Sequence, residues 1–262
     1  MNYKLNSVVV IGSGHVAESL ARAVAECAEV RLVQLWARNE ARAAEIAAQA
    51  GCAWACRPEE LTAADLYLIA VSDRAVADVA ATLPIPADAA VAHTAGSVPI
   101  ESLPAKFARR AVFYPLQTFT RGRRIDWSEV PIFIEASTPG LQAEIETFAR
   151  KLTRRVLQAD SARRAQLHLA GVFANNFTNH MYTLGAQLMT RAGLDFELLK
   201  PLIAETTAKA LAAAEPTARQ TGPAVRGDIT TQERHAAMLD DELLRNIYST
   251  ISQSIWETSR KI

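Results

Sequence analysis

The 262-residue sequence predicts an α/β protein, in which an N-terminal doubly wound parallel sheet is followed by an all-helical C-terminal domain. Two observations support this prediction. As far as residue 160, short Val- and Ile-rich runs alternate with alanine-rich helical patterns, which is typical of parallel strands joined by crossover helices. From Ser161 onward the pattern is helical, with no strand signal. We therefore expect a sheet domain at residues 1–160 and a helical domain at 161–262, used for substrate binding and dimerisation.

A glycine-rich turn follows the first predicted strand. The Val/Ile run Val8–Ile11 is unbroken, as in a strand buried on both faces, and it stops at Gly12. Glycine at 12 allows a sharp turn, glycine at 14 lets a pyrophosphate approach the backbone, and Ala17 still permits close contact between helix and strand. The following helix offers the phosphates its free N–H groups and the positive end of its dipole. The turn predicts a dinucleotide-binding Rossmann domain with cofactor contacts at Gly12, Ser13, Gly14, His15 and Val16.

The end of the second predicted strand favours NADP over NAD. This strand, Val30–Trp36, is followed by Ala37 and Arg38, where an NAD site usually has a carboxylate that binds the ribose hydroxyl. A guanidinium at this place binds a 2′-phosphate and stacks on adenine. The alternatives are that Arg38 is only a solvated loop residue, or that Glu40 supports NAD.

The later strands end in small polar groups. They are predicted at residues 53–55, 65–71, 90–93, 111–119, 132–135 and 155–158. The carboxyl ends of parallel strands face the cofactor in such sheets, so Val71 and Ser72 are expected to contact it, although Ser72 could also cap a helix. Ser97 and Gln117 are expected in the substrate cleft. His93, at a strand end, is a candidate acid–base residue, with a structural role as the alternative.

The helical half opens with a long apolar helix, predicted from Ala162 to about Ala192. Its polar residues recur in steps of three, four and seven, which places them on one face; they are His168, Asn175, Asn179 and Tyr182. Such a face either lines a site or bonds a neighbouring helix. Further helices are predicted over 196–214 and 231–262, with a shaped loop at 221–228 that contributes Arg226 to the substrate cleft.

The composition limits the classes of partner that are expected for this protein. Equal numbers of basic and acidic residues, 28 each, give no indication of nucleic-acid binding or of attachment to an acidic membrane. No apolar run is long enough to cross a bilayer, and the chain enters a strand at once, which leaves no room for a signal peptide. Three cysteines without paired C-x-x-C spacing favour a reduced, cytoplasmic protein and argue against a metal site.

Four segments, taken in order, carry a family resemblance. They are His93-Thr94-Ala95-Gly96-Ser97, Tyr114-Pro115-Leu116-Gln117-Thr118-Phe119, the stretch from His168-Leu169-Ala170-Gly171 to Asn175-Asn176-Phe177, and Thr221-Gly222-Pro223-Ala224-Val225-Arg226-Gly227-Asp228. They resemble proteins that join a Rossmann-like domain to the domain of unknown function DUF2520. More broadly, the glycine turn, Arg38 and the long helix that opens the helical half resemble the 6-phosphogluconate-dehydrogenase-like reductases, which include pyrroline-5-carboxylate reductases and NADP oxidoreductases of the F420-dependent type. The resemblance implies an NADP cofactor.

The resemblance also implies a homodimer formed through the C-terminal helices. Apolar residues that one copy would leave uncovered are expected there; they are Leu184, Leu188, Leu199 and Leu211.

One departure concerns the proton donor. The hydroxyacid dehydrogenases of this superfamily carry a catalytic lysine one turn before an asparagine pair, and here that place holds Val172. His168, one turn earlier, is the replacement acid that the sequence offers. We expect an NADP(H)-dependent reductase of a small carbonyl or imine compound in the interdomain cleft, with His168 as acid, His93 next in line and Asn175 orienting the substrate. The alternatives are a non-catalytic NADP-binding sensor or scaffold, and a reductase with a deazaflavin partner.

Overall fold

The computed structural model describes residues 5–216 and 220–260. The chain forms two compact units, the first ending at Asn179 and the second beginning at His180. The boundary that the sequence places near residue 160 falls at the start of a helix inside the first unit, and it remains a prediction. The predicted C-terminal end of the last helix, Ile262, lies outside the described residues.

The first unit contains one eight-stranded sheet, in the order β3-β2-β1-β4-β5-β6-β7-β8. The strands are β1 Ser7–Ile11, β2 Arg31–Trp36, β3 Ala53–Ala55, β4 Leu66–Ile69, β5 Ala90–His93, β6 Arg109–Pro115, β7 Ile132–Ala136 and β8 Val156–Gln158. This order places β1 between β2 and β4, so the turn after β1 lies at the point where the strand order reverses. In open α/β sheets, dinucleotides bind at that point.

One strand pair departs from the predicted parallel sheet. β7 runs antiparallel to β6, with Phe113 opposite Ile134, whereas all the other pairs are parallel. A parallel return needs a crossover of a dozen residues or more, usually a helix. Residues 116–131 contain only a short 3₁₀ turn, Trp127–Glu129, so the chain returns beside β6 in the opposite direction.

Helices cover both faces of the sheet, as a doubly wound fold requires. They are α1 His15–Glu26, α2 Glu40–Ala50, α3 Val76–Thr82 and α4 Pro139–Ala149. Val8 and Val10 belong to an apolar cluster with residues of α1, α2 and α4, whereas Val9 and Ile11 belong to a second cluster with residues of α3. The unbroken apolar run of β1 is therefore buried on both sides, as its sequence predicts.

The long helix predicted from residue 162 is interrupted. It consists of α5 Ser161–Gly171, a π-helical turn Val172–Phe177, and α6 Thr178–Arg191. Such turns close on the fifth residue instead of the fourth, and they occur frequently at functional sites. The asparagine pair Asn175-Asn176 lies inside this turn, so the α-helical spacing used to place His168, Asn175 and Asn179 on one face does not hold across it.

The second unit is helical. After the C-terminal part of α6 it contains α7 Lys200–Ala212, α8 Ile229–Ala237 and α9 Glu242–Ser259. The loop before α8 ends at Asp228, whose side chain accepts the Thr231 N–H and caps the helix. Among the described residues of this unit only three are buried, Ala224, Leu239 and Ser252. None of the helices described here combines the length and apolar character needed to cross a bilayer.

Candidate functional site

A cavity of about 670 Å³ opens at the carboxyl edge of β1, β2 and β4. Its walls come from the glycine turn, the residues that follow β2 and β4, the loop after β6, and the asparagines of the π-helical turn. The cavity brings together ten of the site residues predicted from the sequence: Gly12, Ser13, Gly14, His15, Val16, Arg38, Val71, Ser72, Gln117 and Asn175. All of them belong to the first unit.

The turn after β1 has the conformation that a dinucleotide cradle needs. Gly12 has φ +134°, and a Cβ built there would lie 2.2 Å from the carbonyl oxygen of Ala70, so only glycine fits. Its N–H donates to the carbonyl of Trp36 at 2.8 Å, which fixes the turn against β2. A Cβ on Gly14 would meet nothing within 4 Å, which shows that this residue faces open space.

Helix α1 begins beside this turn without a side-chain cap. Gly14 is its N-cap residue, and no side chain accepts a hydrogen bond from the first turn. Free N–H groups and the positive end of the helix dipole suit a phosphate group. The glycines and this uncapped helix therefore fit the pyrophosphate of a dinucleotide.

The adjacent wall suits a phosphate on the adenosine ribose. Arg38 is exposed, lines the cavity and stands directly before Asn39, whose side chain accepts the Arg42 N–H at 3.0 Å and caps α2. The cap fixes the backbone at the end of β2, so the Arg38 guanidinium extends from an ordered position. A charged donor at this place fits a 2′-phosphate.

A loop after β6 forms the opposite wall through Gln117, Thr118 and Phe119. It is attached to α1 through Glu18, a buried carboxylate that accepts the Gly122 N–H at 2.8 Å and pairs with Arg42 at 2.7 Å. Burial alone would raise the pKa of Glu18, but these hydrogen bonds outweigh it and hold the pKa below its ordinary value.

Two further contacts attach the same segment. Arg121 pairs with Glu45 of α2 at 2.9 Å, and the indole N–H of Trp127 donates to Ser19 of α1 at 3.1 Å. These anchors cannot be read from local sequence patterns, because each one joins residues more than 70 positions apart.

A second cavity, of about 280 Å³, adjoins the first. The two share Gln117, Thr118, Asn175 and Asn176, and the smaller one adds Tyr114 and His168. The predicted acid therefore lies in a compartment continuous with the large cavity, and the predicted orienting residue Asn175 lines both. No Asp, Glu, Lys or Arg side chain lines this smaller compartment among the described residues.

Tyr114 and His168 form a hydrogen-bonded pair in the second cavity. The Tyr114 hydroxyl lies 3.2 Å from Nδ1 of His168, and the two rings meet edge to face. Burial raises the pKa of Tyr114, with a further contribution from Asp73 that Arg164 opposes. The phenol therefore keeps its proton across the physiological pH range.

Arg164, one turn before His168, fixes helix α5. Its side chain is fully buried, pairs with Glu135 of β7, and donates to the carbonyl of Val98 at 2.6 Å. A buried arginine is stable only when it is paired and hydrogen-bonded. The sequence shows an arginine four positions before the histidine, but it does not reveal that this arginine is buried.

Four predicted residues line neither cavity. His93 is fully buried, its Nδ1 accepts the Ala95 N–H at 3.2 Å, and Nε2 has no partner among the described residues. Burial, with a contribution from Arg164, lowers the pKa of His93 to about 4. Ser97 donates instead to Asp73, and Asn179 is exposed on α6. Arg226 lies in the second unit, where hydrogen bonds from Thr231 lower the pKa of Asp228 and the charge of Arg226 adds to that effect.

Comparisons with known proteins agree with this geometry. Residues 7–94 match the family model "NADP oxidoreductase coenzyme F420-dependent", and residues 130–255 match DUF2520, a domain of unknown function. A protein from Bacteroides fragilis that is inferred to be an NADP oxidoreductase has a crystal structure, and its sequence is 38% identical to this chain. The TM-score is 0.90, over 96% of this chain and 98% of that one.

Two more distant structures share the fold. An imine reductase from a Pseudomonas species is 20% identical, with a TM-score of 0.62 over 98% of this chain and 93% of that one. A reductive aminase from Aspergillus terreus, in complex with NADPH and ethyl levulinate, is 15% identical, with a TM-score of 0.70 over 97% and 95%. A search of curated protein sequences finds no significant match.

Proposed function

This chain belongs to the NADP oxidoreductases that join an N-terminal domain of the F420-dependent type to a DUF2520 domain, and we propose that it reduces a small carbonyl or imine compound with NADPH. One observation carries the proposal: the large cavity that fits the dinucleotide continues into a small cavity lined by His168. The small cavity offers a proton donor and an amide, and no Asp, Glu, Lys or Arg side chain lines it among the described residues. Such a lining suits a small neutral group with a polar double bond.

Each part of the site has a role in this proposal. Gly12, Gly14 and Arg38 bind the nucleotide, and Ser72 lies beside its nicotinamide half. NADPH, when bound, supplies a hydride to the substrate carbon. Asn175 orients the carbonyl oxygen or imine nitrogen by a hydrogen bond. His168 gives a proton to that atom, and general acids of this kind contribute about a hundredfold or more to the rate.

Similarity to the two distant enzymes supports the substrate class. One of them is an imine reductase, and the other is a reductive aminase whose structure contains NADPH together with a keto ester. Both are too distant in sequence to transfer a substrate. They show that this fold accommodates carbonyl and imine chemistry.

The test is a screen of carbonyl and imine compounds for loss of NADPH absorbance, with NADH in parallel. We expect turnover with NADPH, and we expect His168→Gln to lower it by about a hundredfold while NADPH affinity is kept. Gln166→Ala, an exposed change on the same helix, is the control. NADPH binding without turnover of any compound would instead support the sensor or scaffold. Turnover that appears only with a deazaflavin would support that partner.

We also propose a homodimer formed through the C-terminal helices. The second unit has few buried residues, and several of its large apolar side chains are more than 60% exposed, namely Leu198, Leu202, Leu211, Met238 and Leu243. An apolar groove of about 870 Å³ runs along the same unit, with Leu184 and Leu188 in its wall. Surface of this kind marks a site of protein association.

Cys27, Cys52 and Cys56 are free, which is consistent with the proposed cytoplasmic location.

A further inference from the structure

The hydrogen bond between Tyr114 and His168 engages one ring nitrogen of the histidine, Nδ1. Tyr114 occupies Nδ1, and both residues line the small cavity. Nε2 is therefore the nitrogen left to serve a compound bound there. A hydroxyl both donates and accepts hydrogen bonds, so it can accept the Nδ1–H of a protonated imidazole and keep that bond after Nε2 has lost its proton.

We propose that Tyr114 is the positioning residue of the proton donor, because its hydroxyl accepts the Nδ1–H of His168 and reserves Nε2 for proton transfer. This inference rests on the proposed reductase function. Bound NADPH would supply the hydride to the substrate carbon and would become NADP⁺. The Nε2–H bond of the His168 imidazolium breaks, and its proton goes to the substrate oxygen or nitrogen. His168 is left neutral with its proton on Nδ1, and Nε2 then takes up a proton from water.

The backbone of Gly96 packs closely against the Tyr114–His168 pair. A Cβ on Gly96 would lie 2.7 Å from Nδ1 of His168 and 2.7 Å from Cζ of Tyr114. The loop after β5 therefore approaches the pair so closely that only glycine leaves it undisturbed. On the other side, Arg164 fixes α5 one turn before His168. The ring of His168 is thus held from the loop, from β6 and from its own helix.

The charged groups around the pair leave Tyr114 neutral. Asp73 and Arg164 act on the Tyr114 pKa in opposite directions, and burial raises it. His93, which lies in the strand before the Gly96 loop, has a pKa of about 4 and carries no charge at neutral pH. A neutral phenol is a hydrogen-bond partner and not a competing base.

Imidazole NMR of the full-length protein tests this inference without a substrate. We expect neutral His168 to carry its proton on Nδ1, and we expect Tyr114→Phe to move that proton to Nε2. His168→Gln assigns the signals. Tyr248→Phe is the matched control, because its hydroxyl lies 2.9 Å from Nδ1 of His235 and should affect only that histidine.

Kinetics supplies the second readout. Tyr114→Phe should lower kcat and move the upper pH limit of turnover downward, because the protonated ring loses a hydrogen-bond acceptor, with NADPH affinity unchanged. A wild-type spectrum with the neutral proton on Nε2 overturns the inference, even where the variant does not fold. An unchanged His168 signal in Tyr114→Phe overturns it as well. Full turnover in His168→Gln would instead contradict the role of His168 as the acid. The NMR result on the Tyr114–His168 pair does not depend on that outcome.

Discussion

The carboxylate of Glu18 in α1 accepts the backbone N–H of Gly122, 104 positions later in the chain. Through this bond the N-terminal helix, which begins at the glycine turn, holds the loop that forms the opposite wall of the large cavity. The same carboxylate pairs with Arg42 and Arg22. One buried group therefore joins α1, α2 and the loop after β6.

Replacing Glu18 by Gln should weaken both stability and cofactor binding. The variant loses charge-assisted hydrogen bonds at a buried site, so we expect unfolding to become easier by about 2 kcal/mol. Glu26→Gln is the control, because Glu26 lies on the same helix in an exposed pair with Arg124 and should change stability by less than about 1 kcal/mol. Urea unfolding and NADPH titration measure the two effects. Equal stability of the two variants would contradict the role of Glu18.

The Glu18 bonds also predict a pH dependence. The folded-state pKa lies below the ordinary value of 4.5, so the unfolded chain takes up this proton first as the pH falls. The contribution of Glu18 to stability is complete above about pH 4.5 and is lost as the pH falls through the folded pKa. Glu18→Gln should unfold with a shallower dependence on acid pH than the wild type. Parallel curves for the two proteins would count against this assignment.

Arg38 should select NADPH over NADH. Arg38→Ala should weaken NADPH binding by about tenfold or more, since a charge-assisted phosphate contact contributes roughly 1.5–3 kcal/mol, and NADH binding should change little. Calorimetry measures both affinities. The matched control is Arg31→Ala, an exposed arginine at the other end of the same strand. Equal affinity of the wild type for the two cofactors would refute the selection.

The two glycines of the turn should respond differently to alanine. Gly12→Ala places a methyl group 2.2 Å from the Ala70 carbonyl in a left-handed conformation, so we expect a loss of several kcal/mol of stability or no folded protein at all. Gly14→Ala meets no neighbour, so it should fold normally but bind NADPH more weakly, because the methyl group enters the phosphate site. Unfolding curves and cofactor titration of both variants separate the effects. Normal NADPH affinity in Gly14→Ala would show that the pyrophosphate does not bind at this turn.

His93 should make the protein less stable in mild acid. Its folded pKa of about 4 lies below the ordinary value of 6.5, so between these pH values the unfolded chain binds the additional proton. Stability should therefore fall by roughly 3 kcal/mol as the pH decreases across this window. His93→Gln should show a flatter profile, whereas His15→Gln, at an exposed site, should keep the wild-type slope. An unchanged slope in His93→Gln would mean that this imidazole does not resist protonation.

Light scattering at micromolar concentration tests the homodimer. The chain has a mass of 28.5 kDa, and we expect a particle of twice that mass, because the apolar surface of the second unit needs a partner. Leu202→Lys, at a residue 63% exposed, adds a charge with little cost to one chain. If Leu202 lies in the interface, this variant should shift the equilibrium towards the monomer. A monomeric wild type would end the proposal.

The sequence was sufficient for the elements whose signals are local. Each of the eight strands is a short apolar run bounded by turn residues, and each is present. The glycine turn could be identified because its residues are consecutive. The direction of β7 could not be predicted, because residues inside a strand do not encode whether the chain returns by a crossover or directly.

The parts of the site that escaped prediction depend on distant contacts. Glu18 reaches Gly122, Tyr114 reaches His168 across 54 positions, and Arg164 reaches Glu135 across 29. Periodicity places a side chain on a face but does not name its partner. For the same reason His93 was expected at the cleft, although its ring is enclosed by the fold.

The π-helical turn at Val172–Phe177 also has a consequence for how the chain can change in length. A π-helical turn closes on the fifth residue, so it contains one residue more than a regular α-helical turn. Removing one residue from this stretch would let it become regularly α-helical. Asn175 and Asn176 would then take other positions around the helix axis, because residues of an α-helix are about 100° apart. Both asparagines line the large cavity. A length change of one residue at this turn would therefore alter the cavity wall, and enzymes that differ in length there should differ in substrate choice.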